Sequence, residues 1–456
     1  MRSRTLVSSA IVLLLFPGRA ARAQEPASPT VVVSPSGPVA GEAPLTIADA
    51  IAEALAANPD LAAVQAARLA AEARPAIERT LMPPMLEAEV FQWPTNTANP
   101  ADAQFMFTMQ QDLPGRGKRA LRAARATEEA AMAANEVDQR RVQVVAEVKE
   151  AFVRILAGRR VLDLLGESVE LVRQLGAAAE VKYAAGRISQ QEVVRALLER
   201  TRLQRDQLSA TEEVRMAEAR LNALLGRAPA APVGPLVCPL RPALPPLEVA
   251  QSFARDHQPA LIAPHIEKRL ADADLAVIAG DRKPDWTLRG GYMLMPNETN
   301  ALTARVGVTW PGAPWSSRRL DAEQRAAQAR RAAADARARA AERQVGRAAE
   351  EAWVRAQAAQ EREDLVRGGL LPQAQHALDL ARLGYETDRV SLVDVIDAAR
   401  SVADVRRDLV RAEEDRDLAL ISLELAVGTD LPAAPGGEAR APIPASPCPS
   451  NDGVAR

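Results

Sequence analysis

The apolar positions of this chain recur mainly at spacings of three and four residues, which is the period of an amphipathic helix. The pattern runs without a break from 118 to about 185, with Val137, Val148 and Phe152 among its apolar positions. At about 1.5 Å per residue, a helix of that length would extend roughly 100 Å. Helices this long do not fit inside an ordinary globule, so we expect them to lie side by side in a bundle or barrel.

Two pairs of shorter segments alternate apolar and polar residues, which indicates strands. The predicted strands are 85–93, 104–113, 286–295 and 301–310. Their length of about ten residues suits a strand that crosses a bilayer at a tilt of about 45°. Four strands cannot close a barrel, and lipid does not tolerate unpaired sheet edges. Membrane-crossing strands would therefore be pooled from several copies, and three copies supply an even number, twelve.

The pattern leaves a second interpretation open. A periplasmic coiled-coil protein, structural or adaptor in role and without a pore, would also contain long helices and two small exposed hairpins. Alternations of ten residues are weak indicators of membrane strands.

The second half of the chain repeats the first. Residues 47–61 recur at 247–261, and residues 183–196 recur at 385–398. A repeat of about 200 residues is too long for a solenoid unit, so it indicates a duplicated half-molecule.

The repeated segment at 183–196 and 385–398 interrupts a long helical pattern in both halves. Gly186 in the first half and Asp388 in the second tolerate a left-handed backbone. Each segment is therefore predicted to be the tip of a helical hairpin.

The N-terminus predicts export. Arg2 and Arg4 precede an apolar run that ends near Ala21-Arg22-Ala23, which is typical of a secretory signal peptide cleaved after Ala23. No Cys follows that site, so we expect no lipid anchor, and no later apolar run approaches the length of a transmembrane helix. The predicted organisation is a signal peptide at 1–23, a linker at 24–44, a first repeat at 45–226, a linker at 227–246, a second repeat at 247–428 and an irregular tail at 429–456.

Composition narrows the function. The 57 basic residues are interleaved with 59 acidic ones, for a net charge of −2, which argues against a nucleic-acid binder. The chain has no phosphate-binding loop and no catalytic constellation, so we expect neither an enzyme nor a cofactor. His257, His265 and His376 are scattered and predict no metal site.

The exported leader, the twofold repeat, the order of helices and hairpins and the twin tips resemble the TolC-type outer-membrane efflux channels over about residues 45–428. The most specific segments are 186–189, 389–398 and 111–119. The last resembles the Pro-x-x-Gly-Lys-Arg pattern that follows the second strand in the branch serving heavy-metal pumps.

The resemblance implies a mainly α fold with a small β part. Long helical hairpins of the duplicated half-repeats would form an α-barrel, and four strands per chain would join a trimeric twelve-stranded outer-membrane β-barrel. The homotrimer would span the periplasm as the exit duct of a tripartite efflux system. Its partners would be a periplasmic adaptor (a membrane fusion protein), an inner-membrane resistance-nodulation-division pump and outer-membrane lipid, and its cargo metal ions or small toxic compounds.

The resemblance also assigns the tips to adaptor contact. The residues concerned are Gly186, Arg187, Ile188, Ser189, Asp388, Arg389, Val390 and Ser391. Ser189 and Ser391 are in addition good helix N-caps, so an ordinary capping role is the alternative.

Asp394 and Asp397 lie three residues apart on one helix face. The resemblance directs them into the lumen at the narrow periplasmic mouth, where six carboxylates in a trimer would attract cations. The alternative is a solvated helix face. The resemblance further gathers the segments of Cys238 and Cys448 at the middle of the tunnel, where a disulfide is a hypothesis.

Overall fold

The computed structural model describes residues 44–93, 99–237, 243–296, 298–387 and 389–431. Most of these residues are helical, and the strands form one small sheet. The predicted mainly α fold with a small β part is confirmed.

Each half of the chain contains two short helices, a strand hairpin and a long helical hairpin. The first half comprises α1 (Ile47–Ala57), α2 (Pro59–Arg79), β1 (Met85–Gln92), β2 (Gln104–Leu113), α3 (Lys118–Ala184) and α4 (Gln190–Leu224), with a 3₁₀ turn at Pro100–Asp102. The second half comprises α5 (Leu247–His257), α6 (Pro259–Asp281), β3 (Asp285–Leu294), β4 (Ala301–Thr309), α7 (Ser317–Leu365), a π-helical segment (Val366–Leu370), α8 (Leu371–Glu386) and α9 (Leu392–Val427).

In both halves, an N-cap residue followed by proline separates the two short helices. The Asn58 side chain accepts a hydrogen bond from the Leu61 amide at 3.0 Å and so caps α2. Pro59 follows at the first helical position, where its missing N–H costs nothing. In the second half Gln258 and Pro259 stand in these positions.

Each half packs around its own apolar cluster. In the first, α1, α3 and α4 enclose Phe152, which is fully buried together with Leu221. In the second, α5, α7 and α9 enclose Leu423, and Trp353 at the position equivalent to Phe152 is only partly buried. The Trp353 indole N–H donates to the Pro245 carbonyl at 2.8 Å. These clusters fix each long hairpin to a short helix of the same half, at the end remote from the tip.

A one-residue insertion distinguishes the two long helices. Arg154 and Arg355 are equivalent at an offset of 201 residues, whereas Tyr183 and Tyr385 are equivalent at 202. The first-half helix α3 is continuous over 67 residues, but the π-helical segment Val366–Leu370 interrupts its counterpart within this interval. A π turn holds more residues than an α turn, so it absorbs the extra residue. Sequence periodicity had not predicted this interruption.

A charged network surrounds the π-helical segment. Arg367 bonds Glu363 at 2.6 Å and Glu413 at 2.5 Å, and both carboxylates are buried. Arg416 and Arg160 reach the same two carboxylates, at 3.4 and 2.6 Å. Burial opposes the charge of Arg367, but the two carboxylates outweigh it and raise the pKa of the guanidinium.

The four strands form an antiparallel sheet in the order β1-β2-β3-β4. Phe107 on β2, for example, pairs with Ala88 on β1 and with Tyr292 on β3. Within the described residues β1 pairs only with β2 and β4 only with β3. Both outer strands are therefore open edges.

The strand ends differ by one residue from prediction in three cases. The first strand ends at Gln92 rather than 93, the third runs from 285 to 294 rather than 286 to 295, and the fourth ends at 309 rather than 310. A register shift between Val90 and Gln92 disturbs the first strand near its end. Asp285 pairs with Thr309, and this pair begins the β3–β4 ladder.

Candidate functional site

The register divides the side chains of the sheet into two faces, because residues paired across strands lie on the same side. One face is almost entirely apolar, and Leu302 and Leu86 on it are 85% and 76% exposed. Its apolar members include Leu86, Ala88, Val90, Phe105, Phe107, Met109, Leu113, Trp286, Leu288, Tyr292, Leu294, Leu302, Val306 and Val308, and Gln111 is its polar member. A continuous exposed apolar surface of this kind is suited to lipid or to a protein partner rather than to water.

The opposite face is mainly polar, although Met85, Met106 and Met293 also lie on it. It carries Glu87, Glu89, Thr108, Gln110, Asp112, Thr287, Arg289, Thr303 and Arg305. Glu87 on β1 forms an ion pair with Arg289 on β3, and the Thr108 hydroxyl between them donates to Glu87 at 3.4 Å. A sheet with one apolar and one polar face has the alternation that a wall between lipid and an aqueous lumen requires.

The segment that follows β2 joins the two halves of the chain at the end of the sheet where β3 begins. The Gly115 amide donates to the Asp285 carboxylate at 2.7 Å, and the Lys118 ammonium lies 2.8 Å from the same carboxylate. The Lys118 side chain is only 2% exposed, and Asp281 approaches it at 3.9 Å. A side chain at 115 would collide with the Pro284 carbonyl, since its Cβ would lie 2.5 Å from that oxygen. The glycine and lysine of this motif therefore have packing and charge roles, and sequence reasoning had missed their partner Asp285.

The first tip is a tight turn between α3 and α4. Gly186 adopts the predicted left-handed backbone, with φ +71. Its amide donates to the Tyr183 carbonyl at 2.8 Å. The Arg187 backbone amide continues the turn by donating to the Lys182 carbonyl at 2.9 Å. Ser189 occupies the N-cap position of α4, but its side chain makes no capping hydrogen bond. Ser189 therefore holds the predicted N-cap position without the side-chain hydrogen bond that such a cap usually makes.

The second tip lies between α8 and α9. Asp388 is outside the described residues, while the Arg389 amide bonds to the Gly384 carbonyl at 2.8 Å. Val390 packs directly over Gly384, which has no room for a side chain. Ser391 caps α9, as predicted.

The two tips touch each other within one chain. Tyr385 and Ile396 of the second hairpin pack with Ile188 and Val193 of the first. The Lys182 ammonium also lies over the Tyr385 ring, 3.6 Å from its centroid, in a cation–π contact. The structure thus brings together two tips that are 202 residues apart in sequence.

Asp394 forms a capping box with Ser391. Its carboxylate accepts from the Ser391 amide at 3.0 Å and from the Ser391 hydroxyl at 2.7 Å. The Ser391 oxygen in turn accepts from the Asp394 amide at 3.3 Å. Asp397, one turn further along, is exposed. Both carboxylates of the predicted acidic pair are therefore exposed, and that of Asp394 also caps α9.

The different caps predict different effects of one substitution. Replacing Ser391 by alanine should destabilise the start of α9 by about 1 kcal/mol, because the reciprocal cap is lost. Replacing Ser189 by alanine should change the start of α4 much less. Amide hydrogen exchange of residues 392–395 and 190–193 measures both effects, and equal acceleration in the two variants would contradict the prediction.

Cys238 and Cys448 lie outside the described residues, so their disulfide stays a prediction. Within the described part of the chain, no group of three or more His, Cys, Asp or Glu side chains is placed to hold a metal ion. His257 stacks on Phe253, with ring centroids 5.2 Å apart. None of the helices in that part is both long enough and apolar enough to cross a bilayer.

Residues 50–227 and 254–429 match the family described as "Outer membrane efflux protein". The chain belongs to this family. The two matched segments correspond to the two halves of the repeat. The efflux family consists of transport channels, and the TolC-type resemblance is confirmed.

Individual relatives agree with the family. The efflux chain is 27% identical to the cobalt-zinc-cadmium resistance protein CzcC of Cupriavidus metallidurans over 309 residues, 66% of this chain and 71% of CzcC. Its fold matches that of a membrane protein from Pseudomonas aeruginosa with a TM-score of 0.71, at 20% identity, covering 86% of this chain and 92% of that one. CusC, known from crystal structures, matches with a TM-score of 0.71, at 18% identity over 84% and 92% of the two chains.

Proposed function

We propose that three copies of this outer-membrane efflux channel form the exit duct of a tripartite efflux system. Each copy contributes four strands to a closed twelve-stranded barrel in the outer membrane and its long hairpins to a periplasmic tunnel. A periplasmic adaptor and an inner-membrane resistance-nodulation-division pump complete the exporter. The duct performs no chemistry, and the pump supplies the energy.

The two-faced sheet with two open edges carries this proposal. Its apolar face is exposed in the single chain, and lipid is the solvent that such a face favours. Backbone groups at the β1 and β4 edges would be unsatisfied in lipid. Antiparallel pairing of β4 with β1 of the partner subunit satisfies them and closes the barrel after three copies.

The long hairpins are suited to a tunnel. The 67 residues of α3 extend about 100 Å at 1.5 Å per residue. Its contacts with α4, α6 and α9 show that neighbouring helices pack side by side along it. Three such sets of helices can enclose an α-barrel below the membrane.

The tips are suited to the adaptor. Gly186, Arg187 and Ser189 are exposed at the end of the first hairpin, and Arg389 and Ser391 at the end of the second. Their backbone turns are well bonded, and an apolar contact joins the two hairpins. This end is a preformed surface on which a partner hairpin can dock at little cost in ordering.

We propose metal ions as the cargo. The printed name of CzcC concerns cobalt, zinc and cadmium, and CzcC shares two thirds of the length of this chain. The Gly-Lys-Arg junction around Lys118 is the second support. Disruption of the gene should raise sensitivity to cobalt, zinc or cadmium ions, and sensitivity only to organic compounds would redirect the proposal to a drug exporter.

Cell fractionation and assembly test the duct. The mature chain, with Gln24 as its first residue and no lipid, should appear in outer-membrane detergent extracts as a trimer that conducts ions in planar bilayers. Intact mass of the purified chain checks the processing. Release of a monomer by osmotic shock, without membrane affinity, would instead support the periplasmic coiled-coil alternative.

The acidic mouth predicts a change in cation block. Replacing Asp397 by asparagine should weaken the block of ion current by divalent cations, because three exposed carboxylates leave the mouth. Asp397 is chosen because the Asp394 carboxylate also caps α9. Single-channel recordings measure the block, and Glu192→Gln in the first tip is the matched control. Unchanged block in Asp397→Asn would remove the acidic mouth.

A further inference from the structure

We propose that Met106 and Met293 bind soft monovalent cations, of the Cu(I) and Ag(I) class, on the polar face of the sheet, with the Glu89 carboxylate beside them. This face is the lumen wall of the proposed duct, so the site on the exit path rests on that function. It adds a second class of ion to the divalent cations considered above as cargo.

The sheet is rich in methionine. Four of the nine methionines of the chain, Met85, Met106, Met109 and Met293, lie in its strands. These strands, of 8, 10, 10 and 9 residues, are a small part of the 456 residues. Only Met109 belongs to the apolar face, where a methionine is expected. The other three interrupt the polar face and require another reason.

Two of these three methionines are neighbours. Met106 on β2 is directly opposite Met293 on β3. Residues paired in this way have Cβ atoms about 4.5–5.5 Å apart on the same side of the sheet. A methionine side chain is unbranched and has three rotatable bonds. Both sulfur atoms can therefore turn toward one ion between them.

A carboxylate completes the row. Glu89 on β1 is directly opposite Met106, so one line across three strands presents a carboxylate and two thioethers on the same face. Glu89 is exposed and, among the residues that the structure describes, it forms no ion pair. The Arg289 guanidinium on this face pairs with Glu87 instead. The charge of Glu89 is therefore available to a bound cation.

The ligand atoms select the class of ion. Thioether sulfur is a soft, uncharged ligand that favours soft ions such as Cu(I), whereas hard divalent ions favour carboxylate, carbonyl and water oxygens. Ag(I) is a soft cation of the same charge as Cu(I). Two thioethers with one carboxylate would neutralise a monovalent cation without leaving net charge at the site.

Packing alone does not account for the sulfur atoms. Met106 and Met293 are half-buried, and leucine has a similar volume and would pack comparably at both positions. Only the sulfur distinguishes methionine as a ligand. Leucine substitution therefore separates ion binding from packing.

The position and strength of the site suit an exit path. Met106 is near the start of β2 and Met293 near the end of β3, so both lie at the end of the sheet remote from Lys118. Conduction requires that an ion bind well enough to enter and weakly enough to leave. Three ligands on an exposed wall form an open site, unlike the closed four-ligand sites that hold structural metals.

Silver binding tests the site, because Ag(I) needs no reducing agent. Silver nitrate in chloride-free buffer is titrated into the detergent-solubilised channel with Cys238 and Cys448 replaced by serine, since thiols would compete for silver. Calorimetry should show one silver ion per chain at the site. Bound silver should also slow the oxidation of Met106 and Met293 by peroxide, measured by peptide mass, but not that of Met85.

Leucine variants identify the ligands. Loss of a partner that only orients a metal ligand typically costs about 10–100-fold in affinity, so Met106→Leu and Met293→Leu should each weaken silver binding by about tenfold or more. Met85→Leu is the matched control, because Met85 is on the same face but is opposite Gln110 rather than a methionine. It should leave the affinity unchanged. Glu89→Gln should weaken binding by removing the compensating charge.

The outcomes separate this site from the proposed function. Trimers that conduct ions but bind silver equally well with and without both methionines would overturn the site and leave the exit duct intact. An equal loss in Met85→Leu would also overturn it. A chain that stays monomeric, yet in which silver protects Met106 and Met293 from oxidation, would support the site and overturn the duct.

Discussion

Replacing Asp285 by alanine should destabilise the junction below the sheet by about 2–3 kcal/mol. The Lys118 ammonium is 2% exposed and would lose the carboxylate that it approaches at 2.8 Å. Removing one partner of a fully buried ion pair costs about 3–5 kcal/mol. Asp285 itself is 36% exposed and Asp281 remains 3.9 Å away, so solvent and the second carboxylate reduce the loss. Denaturation of the detergent-solubilised channel, followed by circular dichroism, measures the effect.

Two further variants identify its cause. Asp281→Ala should cost less than Asp285→Ala, because Asp281 is the more distant carboxylate. Lys118→Met in the Asp285→Ala background should recover part of the stability by removing the uncompensated charge. If the double variant is less stable than Asp285→Ala alone, the buried ammonium is not the source of the loss.

Replacing Phe152 by alanine should lower the stability of the first hairpin by about 3–5 kcal/mol, at the end remote from its tip. Phe152 is fully buried where α1, α3 and α4 meet, so its loss leaves a cavity in addition to the lost transfer free energy. Denaturant unfolding followed by the helical circular-dichroism signal measures the change.

The repeat provides the matched control. Trp353→Ala removes a larger ring at the equivalent position, but this ring is only partly buried in the second cluster. We expect a smaller cost, about 1–3 kcal/mol, which includes the hydrogen bond to the Pro245 carbonyl. A larger loss for Trp353→Ala than for Phe152→Ala would show that burial in the single chain does not rank the two sites, as would follow if the partner subunit covers Trp353.

The two sites lie in different parts of the channel. Lys118 and Asp285 join the halves directly below the sheet, whereas Phe152 holds a long hairpin to its short helices. A loss at the junction should reduce the amount of channel in the outer membrane, since the strands of both halves must enter the barrel together. A loss at Phe152 should act first on the tunnel.

The tips show how far sequence reasoning extends to the candidate site. Both hairpin ends are readable from turn residues and from the repeat, and Gly186 adopts the left-handed backbone that its position requires. The apolar cluster that Tyr385 and Ile188 share could not be predicted from the sequence, because it depends on how two hairpins pack. The same reason explains why equivalent serines differ, with Ser391 in a reciprocal cap and Ser189 without a side-chain bond.

The sequence by itself determined the elements of this protein. Periods of 3.6 and 2, turn residues and a duplication of about 200 residues are local or repetitive properties, and they specify long helices, strand hairpins and two tips. Only the tertiary structure decided which residues meet across the halves, including Lys118 with Asp285 and Glu87 with Arg289. Such contacts depend on strand register and helix packing, which no single segment encodes. The π-helical segment was decided at the same level, because a one-residue insertion can be absorbed at many positions and packing selects one.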